Sequence, residues 1–173
     1  ELVAIYKHDR KLYIYNEKYH FSYDGYDIEA FLSNNKIICH DYKAWSKEFS
    51  FDCEMDVMLA SYLVSPSDAS YDLDKLSIKY LDTEFSPEHG AQLIFELYRL
   101  LLAELDKIGA ISTLREIEIP PARVLASMEL EGFKVDVNGL ASYAEELSSM
   151  AEDYQSRIYM LAGEEFNINS PKQ

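Results

Sequence analysis

The sequence predicts an α/β fold for residues 1–110 and an almost wholly helical segment for residues 111–173. Near the N-terminus, short runs of β-branched and aromatic residues are separated by a polar turn, which is typical of strands. From Asp56 onward, apolar residues recur every three or four positions, as in amphipathic helices. Strands followed by helices, with long connections between them, indicate a layered α/β or α+β fold.

Three strands are expected in the first part. Residues 3–6 and 12–15 are β-branched and aromatic, and the polar residues 7–11 between them predict a turn. Residues 36–40 form a third candidate. Its apolar centre, residues 37–39, is continuous, which predicts a strand that is buried on both faces.

Three helices are expected to follow. The apolar residues between 57 and 63 predict a short buried helix that stops near Pro66. Leucine, isoleucine and tyrosine residues between 73 and 81 predict a second helix. A longer amphipathic helix is expected to end near Gly109, because its apolar positions keep helical spacing as far as residue 108.

The remaining residues predict helices separated by proline and glycine. Pro120 and Pro121 interrupt the pattern, so a kink or a fresh helix is expected at Pro120. Gly132 fits a C-terminal cap, and Asp136 is expected to cap a long helix that ends at Ala162-Gly163. The apolar stripe of that helix should pack within the protein rather than form a separate oligomerising coil.

Composition restricts the function classes. The net charge is −15, whereas nucleic-acid binding normally requires a basic surface, so the segment alone should bind DNA poorly. No apolar run is long enough to cross a membrane and none resembles a signal peptide, which predicts a cytoplasmic segment. We also expect the segment to be monomeric. Cys39 and Cys53 lack a C-x-x-C arrangement, so we expect two free buried thiols.

Four short elements occur in order between Leu114 and Gln173. They are Ile-Glu-Ile-Pro at 117–120, Val-Leu-Ala-Ser-Met-Glu-Leu-Glu-Gly at 124–132, Val-Asp-Val-Asn-Gly-Leu at 135–140 and Ala-Gly-Glu-Glu-Phe-Asn-Ile-Asn-Ser-Pro-Lys-Gln at 162–173. Together they resemble the segment that leads into the thumb in the bacterial DNA polymerase I class of family-A DNA polymerases. Pro121 departs from the leucine usual in the family, which is a local packing change.

The resemblance implies a parent protein that is a DNA-directed DNA polymerase of replication and repair, with primer–template DNA as partner and Mg²⁺ as cofactor. It implies that residues 1–110 form a ribonuclease-H-like, 3′–5′ exonuclease-like domain. Residues 111–173 would form the helical connector and the start of the thumb. In the family the palm and fingers come later in the chain, so we expect neither polymerase activity nor a cofactor in this segment.

The resemblance also locates two degenerate exonuclease motifs. Active family members hold two metal ions with Asp and Glu carboxylates. Here Asp41 takes the position of a motif asparagine and Trp45 that of the metal-binding aspartate, while Ser86 and Gly90 take the tyrosine and aspartate positions of the late motif. An indole or a glycine cannot hold the metal, so an inactive domain without catalytic or metal-binding residues is expected.

The first exonuclease motif is expected on a strand before Glu1, which would leave a truncated sheet. Two Asp-x-Glu sequences, at 27–29 and 52–54, lie in the wrong order for that motif and are interpreted as helix starts. The four histidines lack metal-ligand spacing. An active exonuclease and a free-standing interaction module remain the alternative hypotheses.

The C-terminal residues suggest a DNA contact. Asn169 and Ser170, and less directly Lys172, match family positions near the duplex. Asn and Ser side chains can bind phosphates without carrying charge. Equally, Asn169 and Ser170 could cap a following helix, and both roles are compatible at a helix N-terminus.

Overall fold

The structure is a computed structural model that describes residues 1–25 and 28–170. Five strands form one mixed sheet in the order β3-β2-β1-β4-β5. Their bounds are β1 Leu2–His8, β2 Lys11–Asn16, β3 Tyr19–Asp24, β4 Lys36–Cys39 and β5 Cys53–Asp56. β1 is antiparallel to β2 and β2 to β3, whereas β1, β4 and β5 run parallel.

The three predicted strands are present, and two further strands, β3 and β5, complete the sheet of the described residues. β3 and β5 were missed because Tyr-His-Phe-Ser-Tyr-Asp and Cys-Glu-Met-Asp carry polar residues and lack a continuous apolar run. Glu54, interpreted as part of a helix start, lies in β5. β1 lies between β2 and β4.

The first hairpin turns more tightly than predicted. Only Asp9 and Arg10 connect β1 to β2, and both have positive φ angles, 48° and 68°. Positive φ at both central residues defines the type I′ turn, whose usual sequence signal is Asn-Gly or Asp-Gly. Because Arg replaces the glycine, the sequence lacked that signal. In the second hairpin, the Asn16 carboxamide oxygen accepts hydrogen bonds from the N–H groups of Lys18 and Tyr19.

Eight helices accompany the sheet in the described part of the chain. They are α1 Glu29–Ser33, α2 Tyr42–Ser46, α3 Val57–Val64, α4 Leu73–Leu81, α5 Gly90–Lys107, α6 Ile111–Thr113, α7 Ile119–Glu131 and α8 Val137–Ala162. α5 packs on β1 and β2 and contacts α3 and α4, while α7 packs on α2. The helices predicted after residue 56 are confirmed. A π-helical turn, Leu114–Glu118, joins α6 to α7, and Pro120 and Pro121 stand in the first turn of α7, where a missing N–H is tolerated.

The core lies on both faces of the central strands. Val3, Ala4 and Ile5 in β1 are completely buried, as are Ile37, Ile38 and Cys39 in β4. Consecutive buried residues require cover on both faces of a strand, so the prediction for residues 37–39 is confirmed. Cys39 and Cys53 are free thiols whose sulfur atoms lie 3.8 Å apart.

The chain divides into two compact units, Glu1–Gly132 and Phe133–Gln173. α7 belongs to the first unit because it packs on α2. In the second unit Asp136 caps α8 by accepting a hydrogen bond from the Gly139 N–H at 2.9 Å, and Gly163 ends the helix with φ 77°, as predicted. The expected apolar stripe is present on α8. The residues of this stripe are exposed, so within residues 1–25 and 28–170 the stripe does not pack against a partner helix as predicted.

None of the helices among the described residues is long and apolar enough to span a membrane.

Candidate functional site

Asp41 lies at the carboxyl end of β4 and caps α2. Its backbone is left-handed, with φ 58° and ψ 65°, and its side chain accepts a hydrogen bond from the Ala44 N–H at 3.1 Å. Aspartate tolerates this conformation better than most residues because its short side chain bonds to nearby backbone groups. The carboxylate of Asp41 is therefore used by its own helix.

Asp56 fixes the junction between β4, α2 and α3. It is completely buried, and its carboxylate accepts hydrogen bonds from the N–H groups of Tyr42 at 2.8 Å, Met58 at 2.9 Å and Asp41 at 3.1 Å. Burial raises the pKa of Asp56, while the Tyr42 and Met58 N–H donors act in the opposite direction. All of these donors belong to the backbone, so this carboxylate has a structural role.

Trp45 is packed as a core residue. It is only 5% exposed, and its ring lies against the rings of Phe49 and Phe51. The Lys7 ammonium lies 5.4 Å from the centre of the indole and 2.5 Å from a carboxylate oxygen of Glu48. A cation on the face of an indole is attracted by the ring electrons. A protein ammonium group thus lies over the ring of Trp45.

Ser86 and Gly90 flank a 3₁₀ turn, Pro87–His89, that leads into α5. The Ser86 hydroxyl lies 2.9 Å from Nδ1 of His89, within hydrogen-bonding distance. Gly90 is the first residue of α5 and is buried against the ring of Tyr6. A Cβ atom at position 90 would lie 2.6 Å from Cγ of Tyr6, well inside van der Waals contact.

Tyr6 links two of the sequence-predicted positions. It contacts Gly90 and also lines a cavity of about 190 Å³ together with Lys7, His40, Ala44 and Trp45. Two residues away on the same strand, the His8 ring stacks on Tyr6 with centroids 6.4 Å apart. The structure therefore gathers Trp45 and Gly90 around the carboxyl end of β1, with Asp41 capping the helix that carries Trp45.

Tyr6 and His8 were missed by the sequence analysis. Their spacing, i and i+2 at the end of the first strand, matches that of an Asp-x-Glu motif, because alternate residues of a strand share a face. No local sequence pattern marks the two residues, because Tyr6 meets Gly90 only in the folded chain.

The donor atoms around Tyr6 do not suit a divalent metal. Mg²⁺ prefers carboxylate and carbonyl oxygens in octahedral arrangement. Trp45 and Gly90 offer no side-chain ligand, and the Asp41 carboxylate is bonded to the Ala44 N–H. Across residues 1–25 and 28–170, no group of three or more His, Cys, Asp or Glu side chains is arranged to hold a metal ion.

The predicted DNA-contact residues lie at the end of the second unit. The Asn169 N–H donates to the Asn167 side-chain oxygen at 3.1 Å, and the Ser170 N–H donates to the Asn167 carbonyl at 2.9 Å, which closes a turn. Asn169 is exposed and Ser170 is half-buried. Lys172 lies outside the described residues, as does Asp27, which was interpreted as a helix cap.

Comparisons with known proteins identify relatives along most of the chain. DNA polymerase I of Caldicellulosiruptor bescii is 31% identical over 187 aligned positions, covering 94% of this chain and 22% of the relative. DNA polymerase I of Bacillus subtilis is 32% identical and covers 69% of the chain and 16% of its own length. That of Mycobacterium tuberculosis is 30% identical over 82% of the chain. The chain spans about a fifth of the length of these relatives.

A solved structure matches almost the whole chain. The polymerase domain of Pol1 from M. smegmatis, in complex with a DNA primer-template and dNTP, superposes with a TM-score of 0.79 and 26% identity. The match covers 99% of this chain and 35% of that one. No family model matches the sequence. From the sequence relatives and the superposition together, the chain belongs to the bacterial DNA polymerase I proteins of family A, as one segment of such a protein.

Proposed function

We propose that the chain is part of a DNA-directed DNA polymerase, a nucleotidyltransferase that acts in DNA replication and repair in the cytoplasm. The similarity to several DNA polymerase I proteins supports this function. The similarity to a polymerase domain solved with a primer-template and dNTP supports primer–template DNA as the partner of the parent protein. Mg²⁺ is the expected cofactor of the parent, since phosphoryl transfer depends on metal ions that neutralise developing charge.

Within that protein, residues 1–110 act as a catalytically inactive 3′–5′ exonuclease-like scaffold. The sheet order β3-β2-β1-β4-β5, with β2 antiparallel to β1 and with β4 and β5 parallel to it, supports a ribonuclease-H-like fold. Residues 111–173 form the connector and the start of the thumb. The domain boundary at residue 110, which follows the family resemblance, differs from the boundary between the compact units after Gly132. The reason is that α7, although part of the connector, packs on α2.

The contact between Tyr6 and Gly90 carries the proposal of inactivity. β1 takes the place of the strand that bears the first exonuclease motif, with Tyr6 and His8 at the Asp and Glu positions. The carboxyl end of β1 would then offer a phenol, an imidazole, an indole and a glycine where active enzymes have four carboxylates. Because the Tyr6 ring fills the space at Gly90, the late-motif aspartate could not be accommodated without repacking.

A nuclease assay tests the scaffold role. The purified chain is incubated with single-stranded DNA and with duplexes that carry a mismatched 3′ end, in Mg²⁺ or Mn²⁺, beside an active exonuclease of the same family. No loss of 3′ nucleotides is expected. Metal-dependent degradation that disappears in Trp45→Ala, while the variant remains folded, would overturn the proposal and revive the active-exonuclease hypothesis.

A further inference from the structure

Cys39 and Cys53 lie on neighbouring parallel strands, Cys39 at the end of β4 and Cys53 at the start of β5. Cys53 pairs with Ile37, and Ile37 shares a face of β4 with Cys39 because alternate residues of a strand point the same way. The two side chains therefore lie on one face of the sheet, and their sulfur atoms are 3.8 Å apart. This contact lies between two paired strands, so it is set by the fold of this segment itself.

The two thiols differ in their surroundings. Cys39 is completely buried, whereas Cys53 is half-buried and lines a cavity of about 450 Å³ together with Lys36, Asp52 and Glu54. Burial raises the pKa of both thiols, and at Cys53 a hydrogen bond from Cys39 acts in the opposite direction. Cys53 is therefore the thiol that ionises and meets an oxidant first, with Cys39 directly behind it.

We propose that Cys39 and Cys53 are a reversible oxidation site, at which hydrogen peroxide converts the two thiols into a disulfide between β4 and β5. The Cys53 thiolate attacks one peroxide oxygen: an S–O bond forms, the O–O bond breaks, and the departing hydroxide takes up the thiol proton as water. The Cys39 sulfur then attacks the sulfenic acid: the S–S bond forms, the S–O bond breaks, and a second water carries away the Cys39 proton. Both sulfur atoms are oxidised and both peroxide oxygens are reduced.

The local charges and backbone suit this oxidant and this product. Hydrogen peroxide is small and uncharged, so the carboxylates of Asp52 and Glu54 do not repel it as they would an anionic disulfide such as oxidised glutathione. The sulfur atoms must approach from 3.8 Å to about 2.05 Å. Cys53 is the first residue of β5, and the register shifts between Ile37 and Ile38, so this end of β5 can move without breaking a regular ladder.

The disulfide closes a loop that contains α2 and has Cys39 and Cys53 at its ends. Such a link stabilises a fold mainly by restricting the unfolded chain. Asp56, which fixes the junction of β4, α2 and α3, pairs with Cys39 across the two strands, so the link holds the strands together next to that junction. Oxidation therefore makes the first compact unit more resistant to unfolding, and reduction by cytosolic thiols reverses the effect.

Treatment of the reduced 173-residue chain with hydrogen peroxide, at mildly alkaline pH where more thiol is ionised, tests the proposal. Mass analysis of the peptides that contain residues 39 and 53 separates oxidation of the thiols from oxidation of the five methionines. Both thiols should be lost together, the two peptides should be joined with the loss of two hydrogen atoms, and dithiothreitol should restore them. The urea midpoint of the oxidised chain should be higher than that of the reduced chain.

Two variants assign the roles of the thiols. Cys39→Ala should stop the reaction at Cys53, which takes up oxygen atoms instead, and the urea midpoint should not rise. In Cys53→Ala the buried Cys39 thiol should react at least about tenfold more slowly than Cys53 does in Cys39→Ala. Oxygen uptake at Cys53 without a disulfide in wild type, thiols that stay reduced while the methionines are oxidised, or a disulfide only between two chains would overturn the proposal. The wild-type measurement decides among these outcomes whether or not the variants fold.

Discussion

The ring of Tyr6 occupies the space into which a side chain at Gly90 would project. The two residues belong to different elements, β1 and the start of α5, and their contact closes the carboxyl end of β1 at the position of the proposed relic site. The effect of this contact on the stability of the chain can be measured without any assay of activity.

Gly90→Ala should destabilise the chain by about 1–3 kcal/mol, because the new methyl group overlaps the Tyr6 ring. In a Tyr6→Ala background the same substitution should stabilise the chain by up to about 1 kcal/mol, because alanine restricts the unfolded chain more than glycine and favours a helix. Urea unfolding of the four proteins of this double-mutant cycle provides the measurement. If Gly90→Ala changed the free energy of unfolding in the same direction in both backgrounds, the contact with Tyr6 would not be what excludes a side chain at position 90.

The chain should bind no divalent metal at the proposed relic site. Trp45 is the only tryptophan of the sequence and lines the cavity beside Tyr6, so its fluorescence reports on that site directly. Millimolar Mg²⁺ or Mn²⁺ should leave the emission spectrum unchanged, and calorimetric titration should show no stoichiometric binding. Detection of a single site that disappears in Asp41→Asn would contradict this prediction; Asp68→Asn, remote in sequence, serves as the control.

Glu129 should stabilise the packing of α7 on α2 in a pH-dependent manner. Hydrogen bonds from Lys43 and Lys47 lower the pKa of Glu129 to about 2. Because the folded-state pKa lies below the unfolded value of 4.5, this contribution is fully present above about pH 4.5 and is lost as the pH falls toward 2.

Urea unfolding of wild type and Glu129→Gln over this pH range measures the effect. The stability difference between them should shrink as the pH decreases, and added salt should reduce it at every pH, since the pair is exposed. Glu131→Gln is the matched control. It removes a carboxylate two residues further along α7 but leaves Glu129 paired with Lys43 and Lys47, the two residues that lower the pKa of Glu129. A difference that is independent of pH would exclude the ion pairs as its cause.

Asn169 and Ser170 should contribute to DNA binding in the complete polymerase. Replacing both with alanine should weaken primer–template affinity about three- to tenfold, as expected for the loss of one or two neutral hydrogen bonds. The slope of affinity against salt concentration should not change, because neither side chain carries a charge. Unchanged affinity combined with a lower melting temperature would show that the residues are only caps. Asn138 and Ser148, exposed on α8, are the control positions.

Local patterns were enough to predict much of the fold. α3, α4, α5 and α8 were predicted because each has a helical apolar repeat, and Gly132, Asp136 and Gly163 marked helix ends by conformational preference alone. β3 and β5 were missed because their polar residues become strand residues only through pairing with β2 and β4. The propensity of a strand depends strongly on its neighbours, which are not visible in a local window.

By itself, the sequence determined the family, through the motifs between Leu114 and Gln173, and the chemical identity of Trp45 and Gly90, neither of which has a side chain that can bind a metal. Tertiary structure alone decided that β1 lies at the centre of the sheet, that Tyr6 fills the space at Gly90, and that β3 pairs with β2 at one end of the sheet. These three facts depend on contacts between residues far apart in the chain. Such contacts are set by strand register and packing of the whole unit, whereas motifs and side-chain chemistry are properties of single positions and short segments.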